Sequence, residues 1–307
     1  MNNEKSAILA ESLTKHYGDV EALVDLNLEV MRGEVFGFLG PNGAGKTTAI
    51  RTLMDEIRPT SGRASVLGFD THQKSVEIRR HIGYVPGDLA MYPGLTGRDT
   101  ISYFANLRGG VDWSYVESLA ERLNADLSPK IGNLSFGNRQ KIGLIQAFMN
   151  RPQVLIMDEP SSGLDPLLQR EFQTMLRELT EGGCTVFLSS HSLSEVQRVA
   201  DRVGIIRQGR LITVETVSSL RSKAIRRVEF EFGSQIEATI FHTIPGVRDI
   251  VVEDHRVVLS YDGTIDVLLK AAMDHNDVVD ITTHEADLED IFLTYYRDDP
   301  GQGEGGQ

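Results

Sequence analysis

The stretch FGFLGPNGAGKTTAI constrains the fold of this 307-residue chain more than any other segment. Its residues 40–47 spell G-x-x-x-x-G-K-T, between an apolar run that predicts a strand and a run that predicts a helix. In such a loop, glycines let backbone N–H groups turn toward phosphate oxygens, and the helix N-terminus adds positive potential. A glycine-rich turn with a chance lysine is the alternative, but the flanking strand and helix favour a phosphate-binding loop.

The side chains of this loop have separate predicted roles. Lys46 should reach the β- and γ-phosphates of a nucleoside triphosphate, Thr47 should offer its hydroxyl to Mg²⁺, and Thr48 should hold the inner phosphates. The other positions predicted to surround the phosphates are Gly40, Asn42, Gly43 and Gly45.

Apolar, β-rich runs recur along the first two thirds of the chain and predict strands at 35–39, 154–157, 185–189 and 202–207. Helix-like stretches lie between them, and this alternation indicates βαβ units in a largely parallel sheet. Residues 88–150, which include GRDTISYFANL and VDWSYVESLAERL, predict a helical insert between two of the strands. We therefore expect an α/β fold with a helical subdomain.

The segment VLIMDEP ends an apolar run with Asp158 and Glu159. A carboxylate pair at the end of a buried strand is costly unless a cation or another partner compensates its charge. Asp158 fits the Mg²⁺ side of a nucleoside-triphosphate site, and Glu159 is placed as the general base for a water that attacks the γ-phosphate. A pair of helix-capping acids is the alternative, which the nearby phosphate-binding loop weakens.

The pattern changes after residue 220. RRVEFEF, RDIVVED, RVVLSYDG and DVVDITTH predict strands, whereas QIEATIFHTI and TIDVLLKAAMDH predict helices. Their order, β-α-β-β-α-β, is the split βαβ, ferredoxin-like arrangement. A last helix, LEDIFLTYY, follows, and the polar, Gly-rich end of the chain predicts disorder.

These patterns predict a first domain at 1–219, a small α+β domain at 220–297 and a disordered tail at 298–307. The small domain is interpreted as a module for regulation or dimerisation, and a packing extension without such a role is the alternative.

Charge and composition narrow the class of protein. The net charge is −13, and residues 220–307 hold 8 Lys and Arg against 18 Asp and Glu, which argues against nucleic-acid binding. The single cysteine, Cys184, excludes an intrachain disulfide and is interpreted as a small core thiol. The N-terminus is too charged for a signal peptide, and no apolar run reaches the ~20 residues of a membrane span. We expect a cytosolic chain that can dock on a membrane protein.

Five motifs occur in order: GPNGAGKTT, LSFGNRQ, VLIMDEP, SGLD and SSH. Together, over about residues 5–215, they resemble the ATP-binding subunits of ATP-binding-cassette (ABC) transporters. The resemblance implies a P-loop NTPase fold, with a RecA-like core, an antiparallel β-subdomain near the N-terminus and a helical subdomain. It also implies that the nucleotide is ATP.

The resemblance assigns further residues. Tyr17 would stack on adenine, although an ordinary strand aromatic is the alternative. His191 would contact the γ-phosphate and hold the water and Glu159 in register, so that Glu159, His191 and Lys46 are the expected catalytic residues. Asp165 would lie at the interface with a second ATPase subunit.

LSFGNRQ corresponds to the family's signature motif, which binds the ATP held by the other subunit. Ser135 and Gly137 would carry that contact at a helix start, where a hydroxyl and free N–H groups can bind phosphate. The usual motif is L-S-G-G-Q, and this chain has Phe136 and Asn138 in place of a glycine and the glutamine. Phe136 puts a bulky side chain near the expected interface.

A second departure follows the predicted strand HIGYVP. The family usually has a glutamine there whose amide links Mg²⁺ and the attacking water to the transporter contact, whereas this chain has Gly87. We hypothesise that Asp88 supplies an oxygen ligand to Mg²⁺ instead. A capped turn at Asp88 is the alternative.

The sequence as a whole resembles ATPase subunits of the ABC-2 exporter type. We expect a MgATP-hydrolysing subunit that works with an integral-membrane permease and a second ATP-binding subunit, identical or different. The permease would dock between the helical insert and the Gly87 loop. The location would be the cytoplasmic side of a membrane, as a peripheral protein, in a bacterium. The alternative is a soluble ABC ATPase that acts on ribosomes or nucleic acid.

Overall fold

The computed structural model describes residues 5–223, 226–234, 239–274 and 277–284. The chain divides into two compact units, Met1–Val217 and Ser218–Gln307. The domain boundary expected after residue 219 stays a prediction. The helix predicted for LEDIFLTYY and the tail predicted at 298–307 lie outside the described residues. Within the described part of the chain, no helix is both long and apolar enough to cross a membrane.

A six-stranded sheet forms the centre of the first unit, in the order β10-β9-β3-β8-β7-β6. The strands are β3 (Val35–Leu39), β6 (Ile82–Val85), β7 (Val154–Asp158), β8 (Thr185–Ser190), β9 (Arg202–Arg207) and β10 (Arg210–Thr216). All neighbours are parallel except β9 and β10, which form an antiparallel hairpin. The strand residues of β3, β7 and β8 are all buried, which explains why they read as continuous apolar runs in the sequence.

A four-stranded antiparallel sheet, β2-β1-β4-β5, occupies the N-terminal part of the unit. Its strands are β1 (Ser6–Tyr17), β2 (Val20–Met31), β4 (Ser61–Val66) and β5 (Phe69–Asp70). This is the antiparallel β-subdomain that the resemblance implies. Its inward side chains share a core cluster with the central sheet, including Ile8 and Leu13 from β1 and Phe36 and Phe38 from β3.

Seven helices complete the first unit as far as residue 196: α1 (Lys46–Leu53), α2 (Ser75–His81), α3 (Gly97–Leu107), α4 (Trp113–Arg122), α5 (Phe136–Phe148), α6 (Pro166–Glu181) and α7 (Leu193–Val196). Helices α3 to α5 lie in the predicted helical insert. Local chemistry fixes their starts. Thr96 and Asp99 form a capping box at α3, and the Asp112 side chain accepts hydrogen bonds from the Ser114 and Tyr115 amides at α4.

Close packing positions the helices around the sheet. Gly37 lies in the middle of β3, and a Cβ there would be only 2.1 Å from Val196 Cγ1 of α7. Arg122 of α4 pairs with Glu171 and Glu178 of α6, at 2.5 Å from each carboxylate. These contacts hold the helices that follow β7 and β8, and therefore the loops at the ends of those strands.

The second unit has a four-stranded antiparallel sheet in the order β12-β13-β11-β14. After α8 (Val217–Lys223), its elements are β11 (Arg226–Phe232), α9 (Thr239–His242), β12 (Val247–Glu253), β13 (Arg256–Tyr261), α10 (Ile265–Met273) and β14 (Val278–His284). The predicted β-α-β-β-α-β order is confirmed. Helix α9 ends before the predicted Ile244, because Pro245 disfavours helical backbone at the residue before it.

Candidate active site

The predicted site residues gather at one edge of the central sheet. The loop at 40–45 joins β3 to α1, while Asp158 ends β7 and His191 directly follows β8. Because β6, β7, β8 and β3 are parallel neighbours, their carboxyl ends meet at this edge, where ligands bind in sheets of this kind.

The phosphate-binding loop depends on glycine at two positions. Gly45 has a φ of 107°, and a Cβ there would lie 2.5 Å from the Ala22 carbonyl oxygen. At Gly40, a Cβ would lie 2.4 Å from the carbonyl oxygen of Ile206. Helix α1 begins directly after Gly45, so the loop ends at a helix start with unpaired N–H groups.

Lys46 is buried and folds back over this loop. Its Nζ donates hydrogen bonds to the carbonyl oxygens of Gly40, at 2.6 Å, and Pro41, at 3.2 Å. The same Nζ lies 3.3 Å from Glu159 Oε1. The ammonium group is therefore held at the open side of the loop by backbone carbonyls and one carboxylate.

Asp158 is only 2% exposed, and each of its carboxylate oxygens accepts a hydroxyl hydrogen bond. Thr47 Oγ1 donates to Oδ2 at 2.6 Å, and Ser189 Oγ donates to Oδ1. Hydroxyl and carboxylate oxygens side by side are the donor set that Mg²⁺ prefers. The chemistry of the residues present therefore fits a magnesium site next to the phosphate-binding loop.

Glu159 stands in strained backbone beside His191. Its φ is 51°, in the left-handed region that a non-glycine residue rarely adopts. Glu159 Oε2 lies 2.7 Å from His191 Nδ1. Among the described residues, Glu159 Oε1 has no hydrogen-bond partner, although Lys46 lies close by. His191 thus orients one oxygen of the carboxylate, and the other oxygen faces the Lys46 ammonium group.

Thr47, Asp158, Glu159 and His191 line a common cavity of about 380 Å³. The predicted site residues on its wall are Asn42, Thr47, Asp88, Asp158, Glu159 and His191. Arg51, Gly87, Phe136, Gln140 and Ser162 line it as well. As the described residues define it, the wall does not include the remaining predicted site residues: Tyr17, Gly40, Gly43, Gly45, Lys46, Thr48, Ser135, Gly137 and Asp165.

Gly87 borders the metal side of the cavity. A Cβ at position 87 would lie 2.9 Å from Asp158 Oδ2, so a side chain there would contact the carboxylate directly. Asp88 is exposed and lines the same cavity. Position 87, where a glutamine is expected, thus has no side chain, and the Asp88 carboxylate lines the cavity beside it.

Ser135 and Gly137 stand at the start of α5, as the motif predicts. Ser135 is the N-cap and its Oγ accepts a hydrogen bond from the Asn138 N–H at 3.3 Å. The ring of Phe136, 47% exposed, lies over Gly163, where a Cβ would be 2.6 Å from Phe136 Cδ1. Phe136 therefore packs against its own subunit's loop after β7, which the sequence could not indicate.

The start of α5 makes two further contacts with the loop that follows β7. Gly137 approaches Gly163 so closely that a Cβ at 137 would be 2.3 Å from its carbonyl oxygen. Gln140 Nε2 donates to the Pro160 carbonyl oxygen at 3.0 Å. The start of α5 and the loop after Glu159 are consequently in direct backbone contact.

Tyr17 and Asp165 have structural contacts of their own. Tyr17 is exposed at the end of β1, and Lys15 Nζ lies 5.0 Å from the centre of its ring. Asp165 is the N-cap of α6, and its Oδ1 accepts hydrogen bonds from the N–H groups of Leu167 and Leu168 at 3.0 Å. Their roles toward adenine and toward a second subunit stay predictions.

Three residues that bond to the site or its loops had no role assigned from the sequence: Ser189 and Gln140, which lie within the SSH and LSFGNRQ motifs, and Glu195, which lies outside the motifs. The available signal was weak. Ser189 is a hydroxyl near the end of an apolar strand, in register with Asp158. Glu195 Oε2 accepts a hydrogen bond from Ser161 Oγ at 2.6 Å, across a separation that no local motif encodes.

Comparison with known proteins yields consistent matches. A family model described as ABC transporter matches residues 23–162. The bacitracin transport ATP-binding protein BcrA of Bacillus licheniformis is 33% identical over 293 residues, which cover 93% of this chain and 96% of that protein. These matches favour a transport role over the ribosomal alternative.

Solved structures agree with the fold. The ATP-binding subunit of an ABC transporter superposes with a TM-score of 0.65 at 28% identity, over 70% of this chain and 92% of that one. A dimeric, post-hydrolysis ATP-binding cassette bound to ADP and Pi superposes with a TM-score of 0.63 at 22% identity, over 68% of this chain and 98% of that one. The second match bears on the fold alone.

Proposed function

The chain belongs to the ATP-binding subunits of ABC transporters, which hydrolyse ATP to power transport, and we propose that it drives export through a separate membrane permease. The observation that carries this proposal is the cavity in which Thr47, Asp158, Glu159 and His191 meet beside the phosphate-binding loop.

Lys46 and Glu159 define the γ-phosphate end of the proposed site. When ATP binds, its terminal phosphate takes the place of the Glu159 carboxylate as the partner of Lys46 Nζ. Glu159 Oε1 then accepts the proton of the attacking water, while His191 holds the other carboxylate oxygen. The catalytic residues proposed are therefore Glu159, His191 and Lys46.

The proposed metal side is formed by Thr47 and Asp158, with Asp88 as a further oxygen ligand. Bound Mg²⁺ neutralises charge on the transferred phosphoryl group. The support is the oxygen donor set: the Thr47 hydroxyl is 2.6 Å from Asp158 Oδ2, and Asp88 lines the same cavity beside the side-chain-free Gly87. The phosphate itself is held by the loop residues Gly40, Asn42, Gly43, Gly45 and Thr48.

A second ATP-binding subunit is needed to complete the site. This chain has one phosphate-binding loop and one LSFGNRQ segment. The N-cap hydroxyl of Ser135 and the helix start at Gly137 would bind the phosphate of ATP held by the partner, which is either a second copy or a relative. Asp165 would lie near that interface, and Tyr17 would stack on the adenine of its own subunit's nucleotide.

A groove of about 280 Å³ between β6 and α3 is the proposed permease contact. Much of its wall is apolar and rich in methionine: Met54, Ile82, Leu89, Met91, Phe104 and Met149. Arg108 donates from this wall to the Ile82 carbonyl oxygen at 2.9 Å, which ties the helical subdomain to the central sheet. Met54, Ile82 and Met149 are buried, so the accessible part of this apolar wall is formed by Leu89, Met91 and Phe104. A concave apolar surface of this kind suits a short amphipathic helix from the permease.

Export and location follow from the resemblance to transport ATPases of bacteria. We propose a peripheral protein on the cytoplasmic side of a bacterial membrane, anchored through its permease. The net charge of −13 supports the absence of nucleic acid from its partners.

The test of this mechanism is Glu159→Gln, which removes the proton acceptor and keeps the shape of the side chain. We expect ATP binding to persist, hydrolysis to fall by about 10²-fold or more, and an ATP-dependent dimer to accumulate in size-exclusion chromatography. Glu77→Gln, at an exposed carboxylate on α2, is the matched control and should hydrolyse ATP like the wild type. Wild-type turnover in Glu159→Gln would refute the assignment of the base.

The transport role is tested by purifying the tagged full-length chain from solubilised membranes. An integral-membrane protein should co-purify and change its ATPase rate. Recovery with ribosomes or DNA instead would overturn the proposed function.

A further inference from the structure

The hydroxyl of Ser189 connects the Asp158 carboxylate to the backbone amide of Glu159. The residue is 0% exposed and lies next to last in β8, directly in register with Asp158 of β7. Its Oγ donates to Asp158 Oδ1 and accepts a hydrogen bond from the Glu159 N–H at 3.1 Å. One buried hydroxyl therefore bonds to the metal-side residue and to the general base at once.

Only a hydroxyl side chain of this size can do both. It has one hydrogen to donate and lone pairs to accept with, whereas alanine has neither. The donor bond fixes Asp158 Oδ1, so that the other oxygen, Oδ2, stays with Thr47 on the side of the cavity.

The acceptor bond matters because of the backbone at Glu159. A φ of 51° is unfavourable for a residue with a side chain, and such strain persists only where surrounding contacts enforce it. Ser189 satisfies the amide of this strained residue. The direction of the Glu159 side chain, and hence its approach to His191, depends on that backbone conformation.

The neighbouring Ser190 provides an internal comparison. It is also buried, at 2% exposed, but its Oγ accepts from the Ser192 N–H at 3.0 Å and bonds to Glu195 Oε2 at 3.3 Å. Adjacent strand residues point to opposite faces of the sheet. The two serines share a strand and are both buried, but of the two only Ser189 bonds to Asp158 and Glu159.

We propose that Ser189 is a positioning residue for ATP hydrolysis, which orients Asp158 toward the metal and holds Glu159 in its strained, productive conformation. The proposal rests on the function proposed above and adds a residue to its machinery. It predicts that loss of the hydroxyl affects the metal-dependent steps and leaves metal-free nucleotide binding intact.

The experiment compares Ser189→Ala, Ser189→Thr and Ser190→Ala in the full-length chain. Ser189→Ala should lower kcat about 10- to 100-fold, which is the usual effect of losing a residue that orients a metal ligand. The KM for ATP should change by less than about 2-fold, and half-maximal activity should need several-fold more Mg²⁺. Ser190→Ala should stay within about 3-fold of wild-type kcat, and Ser189→Thr should recover part of the loss.

A second readout does not depend on turnover. The affinity of a fluorescent ATP analogue is measured in EDTA and again in Mg²⁺. Ser189→Ala should match the wild type in EDTA and, in a Mg²⁺ titration, should need several-fold more Mg²⁺ to reach half of the full gain in affinity. The thermal unfolding midpoint of each variant separates these effects from misfolding, and Ser189→Cys, with a weak donor of similar size, replaces alanine if alanine lowers the midpoint below the assay temperature.

The outcomes separate this proposal from the proposed function. Wild-type kcat and Mg²⁺ dependence in folded Ser189→Ala, or an equal loss in Ser190→Ala, would overturn the role of Ser189 while the ATPase assignment stands. A wild-type chain that hydrolyses no ATP in Mg²⁺ would overturn the proposed function itself.

Discussion

The edge of the central sheet and the sheet of the second unit handle charge in opposite ways. At the central edge, Asp158 is almost completely buried, and Thr47 and Ser189 bond to its two oxygens. In the second unit, the buried cluster is formed almost entirely by apolar side chains, and a charged pair such as Arg248 with Asp262 is exposed.

The difference shows what each sheet is built for. Burying a carboxylate loses hydration, and packing alone does not offset that cost. The second unit has no buried charged side chain among its described residues, so its sheet does not carry this cost. The buried charge at the central edge indicates a site whose charge is balanced by a ligand.

The largest effect on ATP hydrolysis is expected from a change at Asp158, the buried carboxylate of this comparison. Asp158→Asn keeps the size of the side chain but removes its charge, so kcat should fall by about 10²- to 10³-fold. Asp88→Ala, at the exposed carboxylate of the same cavity, should only raise the Mg²⁺ concentration for half-maximal ATPase several-fold. The assay is steady-state ATP hydrolysis against Mg²⁺ concentration. An unchanged Mg²⁺ dependence in Asp88→Ala would reduce Asp88 to a turn residue.

A second prediction concerns the apolar core of the other sheet. Phe230 is fully buried and stacks with Phe241 at a ring-centre distance of 5.5 Å. Phe230→Ala should destabilise the second unit by about 3–5 kcal/mol, measured by urea unfolding, because it leaves a cavity. Lys270→Gln, at a salt bridge whose two side chains are both exposed, is the control and should leave the unfolding midpoint unchanged.

The same variant also tests whether the second unit regulates hydrolysis. We expect the kcat for ATP to stay within about 2-fold of the wild type at temperatures where Phe230→Ala is folded. A large change in kcat would contradict the view of the second sheet as a stable module that leaves the chemistry to the first.

The smallest effect is expected at Cys184, a buried group without charge. Burial raises the pKa of its thiol from 9.0 to about 12. The fold therefore favours the protonated thiol, and the stability that this contributes is complete below pH 9 and is lost as the pH rises toward 12. Labelling by a thiol reagent at pH 8 should be slow in the native protein and rapid in urea. Rapid native labelling would show that the thiol is accessible.

The sequence predicted the parts of this structure that depend on composition along a single strand. The apolar runs at β3, β7, β8 and β9 are strands because both faces of a parallel sheet are buried. Asp158 and Glu159 stood out because charge interrupts such a run. The phosphate-binding loop stood out because close backbone approaches at Gly40 and Gly45 exclude other residues.

The structural features that the sequence did not predict depend on contacts between distant segments. Serine is unremarkable in a strand, so the double bonding of Ser189 appears only when β7 and β8 lie side by side. The sequence placed Phe136 near an expected interface, whereas its ring packs on Gly163 of the same chain, because side-chain direction follows the tertiary neighbours. The sequence predicted that helix α9 extends to Ile244, because helix propensity alone underweights the effect of Pro245 on the residue before it.

Gly37 has a consequence for how this protein can evolve. It carries no chemistry and belongs to none of the motifs, yet even one added methyl group would collide with Val196, in the helix that follows His191. Substitutions in the surface loops can accumulate during evolution. A side chain at position 37 would instead require Val196 of α7 to move relative to β3. A mutational scan should therefore find Gly37 as intolerant as the catalytic residues, for reasons of space alone.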